Sequence, residues 1–159
     1  MSDAATFSTA ASLYQDLVVE RARRPLHAGD LDPADATADG DNPLCGDRTH
    51  VSLRLDDRRR IARVAHHTRG CAICAASADL MADMVPGLDA PAASAMFGQF
   101  ESMLQDGQDA LDSDARKQLG LLLAFADLHD YRSRRRCATL PWSALLSALK
   151  SPSKTTEEP

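Results

Sequence analysis

The chain lacks an apolar run long enough to cross a bilayer, and it lacks the N-terminal pattern of a secretory signal. These two absences predict a soluble, cytoplasmic protein with no membrane partner. An excess of positive charge is also missing, because the formal net charge is −5 at pH 7. Arginines do cluster at 21–24, 58–60 and 132–136, but such clusters are typical of solvated faces, so nucleic acid is not expected as a partner.

Cysteine is scarce, with four in 159 residues. A reducing compartment keeps thiols free, so no disulfide framework is predicted. Four free thiols in such a protein indicate metal or redox chemistry. A complete zinc signature of closely spaced cysteine and histidine pairs is absent. Spacing alone therefore leaves two interpretations open, a metal or sulfur site and ordinary buried cysteines.

Apolar residues make up 44% of the chain, enough for one domain with its own core. Helical periodicity predicts a first helix from about Thr9, as N-cap, to Arg24. Residues 27–41 lack apolar periodicity and suit a loop or a poorly paired edge strand, whereas alternation predicts strands at 51–55 and 59–67. Periodicity then predicts four more helices, at about 73–84, 93–104, 119–126 and 142–149.

Strands followed by a run of helices indicate an α+β fold. We expect a single domain at 1–149 and a disordered, polar tail at 150–159, which has nothing to bury. The helix at 119–126 should take its N-cap from among Asp112, Ser113 and Asp114.

Three of the four cysteines could be ligands of one shared site. Cys71 and Cys137 are predicted at helix N-termini, the latter because Pro141 suits only the first turn of a helix. Unpaired N–H groups and the helix dipole stabilise a thiolate at such a position. Cys45 lies in a loop, and Asp47 follows two residues later. Three thiolates and a carboxylate would complete a tetrahedral zinc site or hold an iron–sulfur cluster.

The strings DNPLCGD at 41–47, GCAI at 70–73 and RCATLPW at 136–142 resemble the three cysteine motifs of the IscU/NifU family of iron–sulfur assembly proteins. The resemblance covers about residues 10–149. It implies a small antiparallel three-stranded sheet packed against about five helices, with the cysteines converging at one exposed end. Position by position, it implies a metal site made of Cys45, Asp47, Cys71 and Cys137.

Two features resemble the SufU branch of that family. The histidine that precedes the third cysteine in IscU-type scaffolds is here Arg136, and the segment between Cys71 and Cys137 looks longer. SufU-like members bind zinc through three cysteines and one aspartate, and they accept persulfide sulfur from a SufS-type cysteine desulfurase. The resemblance thus implies zinc as cofactor. It implies the desulfurase, which carries pyridoxal phosphate, and the downstream iron–sulfur assembly machinery as partners.

The chain departs from the family pattern at two positions. Cys74 replaces a serine and forms a Cys-x-x-Cys pair with Cys71, while Asp79 replaces another serine. Such a pair can be redox active or supply an extra ligand, but a cysteine that substitutes for serine on a packed helix is the interpretation we favour. His66 and His67 precede Cys71 and are expected to end a strand rather than to bind metal.

The leading hypothesis is a zinc-dependent sulfur acceptor in which Cys45 receives the persulfide, because a loop ligand can leave the metal at little cost. Cys137 is the second choice of acceptor. One alternative is a scaffold on which a [2Fe–2S] cluster is assembled at the same residues, with Asp47 as a weak ligand. Another is a zinc-stabilised interaction domain without sulfur transfer.

Overall fold

The first half of the chain contains a three-stranded antiparallel sheet. The computed structural model of the protein describes residues 10–150, with side chains from Leu13 onward. The strands β1 (Ala36–Asn42), β2 (Asp47–Leu55) and β3 (Ile61–Arg69) follow one another across the sheet in that order. The sequence left residues 27–41 as either a loop or a poorly paired edge strand. In the structure β1 is an edge strand, and it pairs with β2 along its whole length.

Within residues 10–150 the chain forms five α-helices, which confirms the predicted α+β fold. They are α1 (Ala10–Arg23), α2 (Ala72–Met84), α3 (Ala90–Asp106), α4 (Ser113–Leu119) and α5 (Arg132–Lys150). The expected N-cap Thr9 and the tail at 151–159 lie outside the described residues. None of the described helices is long and apolar enough to cross a membrane.

The helix expected at 119–126 is divided in the structure. Asp112 is the N-cap, and its carboxylate accepts a hydrogen bond from the backbone N–H of Ala115 at 2.8 Å. The α-helix ends at Leu119 because Gly120 takes a positive φ of 49°. The apolar residues that follow continue as a 3₁₀ helix from Gly120 to Asp130.

The prediction that the last helix begins near Cys137 was wrong. Helix α5 begins at Arg132, so Pro141 lies inside it and Cys137 is more than a turn from its N-terminus. An interior proline costs about 3 kcal/mol because it lacks an N–H group and crowds the preceding turn. Burial of Ala138, Trp142 and other apolar side chains of α5 offsets this cost, at about 1.5–3 kcal/mol for each large side chain. The dipole of α5 therefore does not stabilise a thiolate at Cys137.

Trp142, Phe100 and Phe125 lie at the centre of the core. Trp142 stacks on Phe97 with ring centroids 6.0 Å apart and contacts Phe100 at 5.5 Å. Phe100 meets Phe125 edge to face at 5.9 Å. Helices α2 and α5 pack against each other and against the strands, and this contact brings the ends of several elements to one place.

Candidate metal centre

The hairpin between β1 and β2 supplies two of the expected ligands. Cys45 lies in the four-residue turn and is exposed. Gly46 has a φ of 74°, a left-handed conformation that lets the chain turn back into β2. Asp47 is the first residue of β2 and is fully buried. Because alternate residues of a strand point to opposite faces, Asp47 shares the helix-covered face with Thr49 and Val51.

The junction of β3 and α2 supplies the third ligand. Gly70 has a φ of 135°, and a Cβ at this position would lie only 2.1 Å from Oδ1 of Asp47. The absence of a side chain thus lets the backbone approach the carboxylate. The N–H of Cys71 donates to Asp47 Oδ1 at 2.9 Å, and its sulfur lies 3.8 Å from Asp47 Oδ2. Cys71 is also the N-cap of α2, where its sulfur accepts a hydrogen bond from the Cys74 N–H at 3.4 Å.

The interior of α5 supplies the fourth ligand. Cys137 is buried, and its thiol lies 3.8 Å from the carbonyl oxygen of Ser133 on the preceding turn. One ligand atom each from Cys45, Asp47 and Cys137 lies within 4.8 Å of the others. Cys71 lies outside this group of three, but its sulfur is 3.8 Å from Asp47 Oδ2, so the four residues expected from the sequence lie in one region. We refer to Cys45, Asp47, Cys71 and Cys137 as the ligand cluster.

The electrostatics of the ligand cluster favour a bound cation. Burial raises the pKa of the Cys137 thiol, and the hydrogen bonds and charges of Asp47 and Cys71 raise it further. Among the side chains of residues 13–150, no lysine, arginine or histidine forms an ion pair with Asp47. A buried carboxylate without a cationic partner is costly. Three cysteine sulfurs and one carboxylate oxygen form a donor set that suits tetrahedral zinc, so these residues fit the metal.

His66 and His67 lie outside the ligand cluster. His66 is buried and bonds through its two ring nitrogens to Asp79 Oδ1 at 3.0 Å and to Thr68 Oγ1 at 2.9 Å. His67 points to the opposite face of the sheet, where its Nε2 lies 3.4 Å from Asp30. β3 continues to Arg69, so both histidines lie inside the strand and do not end it as the sequence predicted.

Asp79 belongs to a buried ionic network that sequence reasoning missed. Its carboxylate accepts hydrogen bonds from Arg21 at 2.8 Å and from the backbone N–H groups of Leu26 and His27. Burial alone would raise the pKa of this carboxyl, but the bonds from His66, from these N–H groups and from Arg21 lower the pKa to about 2. The signal available in the sequence was an acidic residue between apolar neighbours on α2. The network joins α1, α2 and β3 and so supports the element that carries Cys71.

A basic cleft lies between α3 and α5. Arg132, Arg135 and Arg136 line it together with Glu101 and Leu104 of α3, and its volume is about 470 Å³. Arg136 precedes Cys137 but offers no lone pair, so it cannot serve as a metal ligand. Within the described part of the chain, these three arginines form no ion pair.

Comparisons with known proteins find relatives over most of the chain. Residues 13–138 match the model of the NifU-like N terminal domain. The chain is 35% identical to the iron–sulfur cluster assembly scaffold protein IscU of Streptococcus pyogenes, over 87% of this chain and 83% of that protein. It is 30% identical to the zinc-dependent sulfurtransferase SufU of Bacillus subtilis, over 84% and 87% of the two chains. The N-terminal part of a NifU-like protein from Brucella abortus has a similar structure, with a TM-score of 0.74 and 26% identity over 86% of this chain and 92% of that one.

Proposed function

Because the chain belongs to the NifU-like N-terminal domain family, we propose that it acts in iron–sulfur cluster assembly as a zinc-dependent sulfur acceptor. In this proposal it takes persulfide sulfur from a SufS-type cysteine desulfurase in the cytoplasm and delivers it to the downstream assembly machinery. The observation that carries the proposal is the convergence of Cys45, Cys137 and the buried Asp47, with Cys71 bonded to Asp47 through its backbone N–H group. The similarity to a zinc-dependent sulfurtransferase supports the choice of metal.

The residues of the ligand cluster share the binding of zinc but differ in their exposure and in their further roles. Cys45, Asp47, Cys71 and Cys137 would hold zinc, which keeps thiolates deprotonated at neutral pH when it is bound. Asp47 is held by the N–H of Cys71 and is shielded from water. Cys45 is exposed in a turn, whereas Cys137 is buried within a helix, so Cys45 reaches a partner at less conformational cost. This difference supports Cys45 as the sulfur acceptor and leaves Cys137 as the second choice.

The transfer itself is a thiol–persulfide exchange. The Cys45 sulfur attacks the terminal sulfur of the persulfide on the partner enzyme. A new sulfur–sulfur bond forms on Cys45 while the bond to the partner's cysteine breaks, and that cysteine leaves as a thiolate. Arg135 and Arg136, beside Cys137, supply positive charge that orients an acidic surface of the partner.

A scaffold for a [2Fe–2S] cluster is the second candidate, because a relative with 35% identity is named as a scaffold protein. In that role the cluster is the cargo, and Asp47 is a hard ligand that keeps it labile. The residue before the third cysteine is Arg136 and not a histidine, so this position offers no nitrogen ligand. This favours zinc over a cluster as the occupant.

Substitution of Asp47 separates the two candidates. Asp47→Ala should lower zinc content and stimulation of a desulfurase together, because a tetrahedral site that loses one ligand opens to water. Asp41→Ala is the matched control, since Asp41 is an exposed acid on the neighbouring strand. Both variants are purified anaerobically with iron, sulfide and a desulfurase, and zinc and visible colour are measured. A stable brown Asp47→Ala protein that releases its cluster slowly would overturn the zinc proposal and support the scaffold.

A second experiment tests sulfur transfer directly. The protein should raise the turnover of a SufS-type desulfurase by removing its persulfide, a step that otherwise blocks the enzyme. Cys45→Ala combined with Cys137→Ala should abolish this stimulation, because both candidate acceptors are then gone. Stimulation that persists unchanged in the double variant would rule out sulfur transfer to this protein as its cause.

A further inference from the structure

Cys74 has no role in the ligand cluster, yet the structure places it beside Cys71. It is fully buried at the third position of α2, whereas Cys71 is partly exposed at the N-cap. The backbone N–H of Cys74 donates to the Cys71 sulfur at 3.4 Å. A Cys-x-x-Cys pair at a helix start is the arrangement that redox-active dithiols use.

From this geometry we propose that Cys71 and Cys74 are a reversible oxidation site, in which a peroxide converts the two thiols to a disulfide. This oxidation does not require the protein to transfer sulfur. The two residues are the N-cap and the third residue of α2, so an S–S bond between them joins one turn of the chain. This site would be specific to chains with Cys74, because serine cannot form the bond.

The reaction has two steps. The Cys71 thiolate attacks one oxygen of the peroxide, the O–O bond breaks, and Cys71 becomes a sulfenic acid while hydroxide, or an alkoxide, leaves. The Cys74 thiol then attacks the Cys71 sulfur, an S–S bond forms, and water leaves with the sulfenic oxygen and a proton. The two sulfurs together lose two electrons, and the peroxide is reduced by two. A thiol reductant reverses the change by exchange.

Burial determines the order of these steps. Cys74 is fully shielded from solvent, whereas Cys71 is partly exposed. A peroxide in solution therefore reaches Cys71 first, and Cys74 acts as the resolving thiol. Because Cys71 is also part of the ligand cluster, the disulfide withdraws one of four metal donors.

The sequence allows a direct test by peptide mapping. Trypsin cleaves after Arg69 and Arg116 with no lysine or arginine between them, so one peptide at 70–116 carries both cysteines. Cys45 and Cys137 fall in two other peptides, at 24–48 and 137–150. The full-length protein is treated with hydrogen peroxide, its free thiols are blocked with iodoacetamide, and the digest is analysed by mass spectrometry.

We expect the peptide at 70–116 to carry no alkyl group and to gain two after reduction with dithiothreitol, while Cys45 and Cys137 remain alkylated. Cys74→Ser and, as a second variant, Cys74→Ala should form no such disulfide and should instead accumulate a Cys71 sulfenic acid that dimedone traps. Two alkylated cysteines in the wild-type peptide at 70–116 would overturn the proposal. So would a cross-link between the Cys45 and Cys137 peptides as the main product.

Discussion

Replacement of Gly70 by alanine tests whether the position of Asp47 governs metal binding. A Cβ at Gly70 would lie 2.1 Å from Oδ1 of Asp47 and 2.8 Å from its Cα. Since nonbonded heavy atoms pack at about 3.5 Å, the carboxylate must move by about 1.4 Å. Distances between a metal and its ligands tolerate only about 0.2 Å. The displaced carboxylate would therefore no longer serve as a ligand.

We expect Gly70→Ala to weaken zinc binding on the order of 100-fold, which corresponds to about 3 kcal/mol. The positive φ adds a loss of conformational stability of about 1–3 kcal/mol, because L side chains rarely adopt it. Gly87→Ala is the matched control. Gly87 has a φ of 95°, but a Cβ there meets nothing within 4 Å, so it carries backbone strain without disturbing Asp47.

Zinc affinity is measured by competition with a chromophoric chelator, and the free energy of unfolding by urea titration of the same samples. Gly70→Ala should lose both affinity and stability, whereas Gly87→Ala should lose stability alone. Equal zinc affinities in the two variants would refute the reasoning, because backbone strain without displacement of Asp47 would then account for the whole effect.

Three further outcomes are expected. Asp79→Asn should reduce the free energy of unfolding at pH 7 by about 2 kcal/mol, because the folded pKa of about 2 lies below its ordinary value. This contribution is present above about pH 4 and disappears as the pH falls towards 2. A difference in the free energy of unfolding between wild type and Asp79→Asn, measured by urea titration, that persists in acid would contradict it. Ser77→Ala should cost about 1–3 kcal/mol in thermal unfolding, since its buried hydroxyl donates to the Ala138 carbonyl at 2.6 Å; an unchanged Tm would contradict this. By elemental analysis, Cys71→Ala should lose most of the bound metal and Cys74→Ser should keep it, and the reverse order would refute the ligand assignment.

Local patterns predicted much of the fold. Alternation of apolar and polar residues located β2 and β3, and periodicity located α1, α2 and α3, because each element must bury one face. The N-cap position of Cys71 also followed from local signals. The start of α5 did not, since Pro141 signals a helix start locally but is tolerated inside the helix by the burial of Trp142 and its neighbours. Tertiary packing outweighed a local cost of about 3 kcal/mol.

The motifs around the cysteines determined the family by themselves, and the family match confirmed it. They also identified the candidate ligands, because each motif places its cysteine within a few positions of characteristic neighbours. Only the tertiary structure decided how those residues meet. The close approach of Gly70 to Asp47 depends on the register between β2 and β3, and the position of Cys137 depends on how α5 packs on the sheet. Arg21, Leu26 and His27, which donate hydrogen bonds to Asp79, lie more than 50 residues away along the chain, so the burial of Asp79 as a charge could not be read from its neighbours. Contacts of this kind arise when separate elements share a core, and no local pattern encodes them.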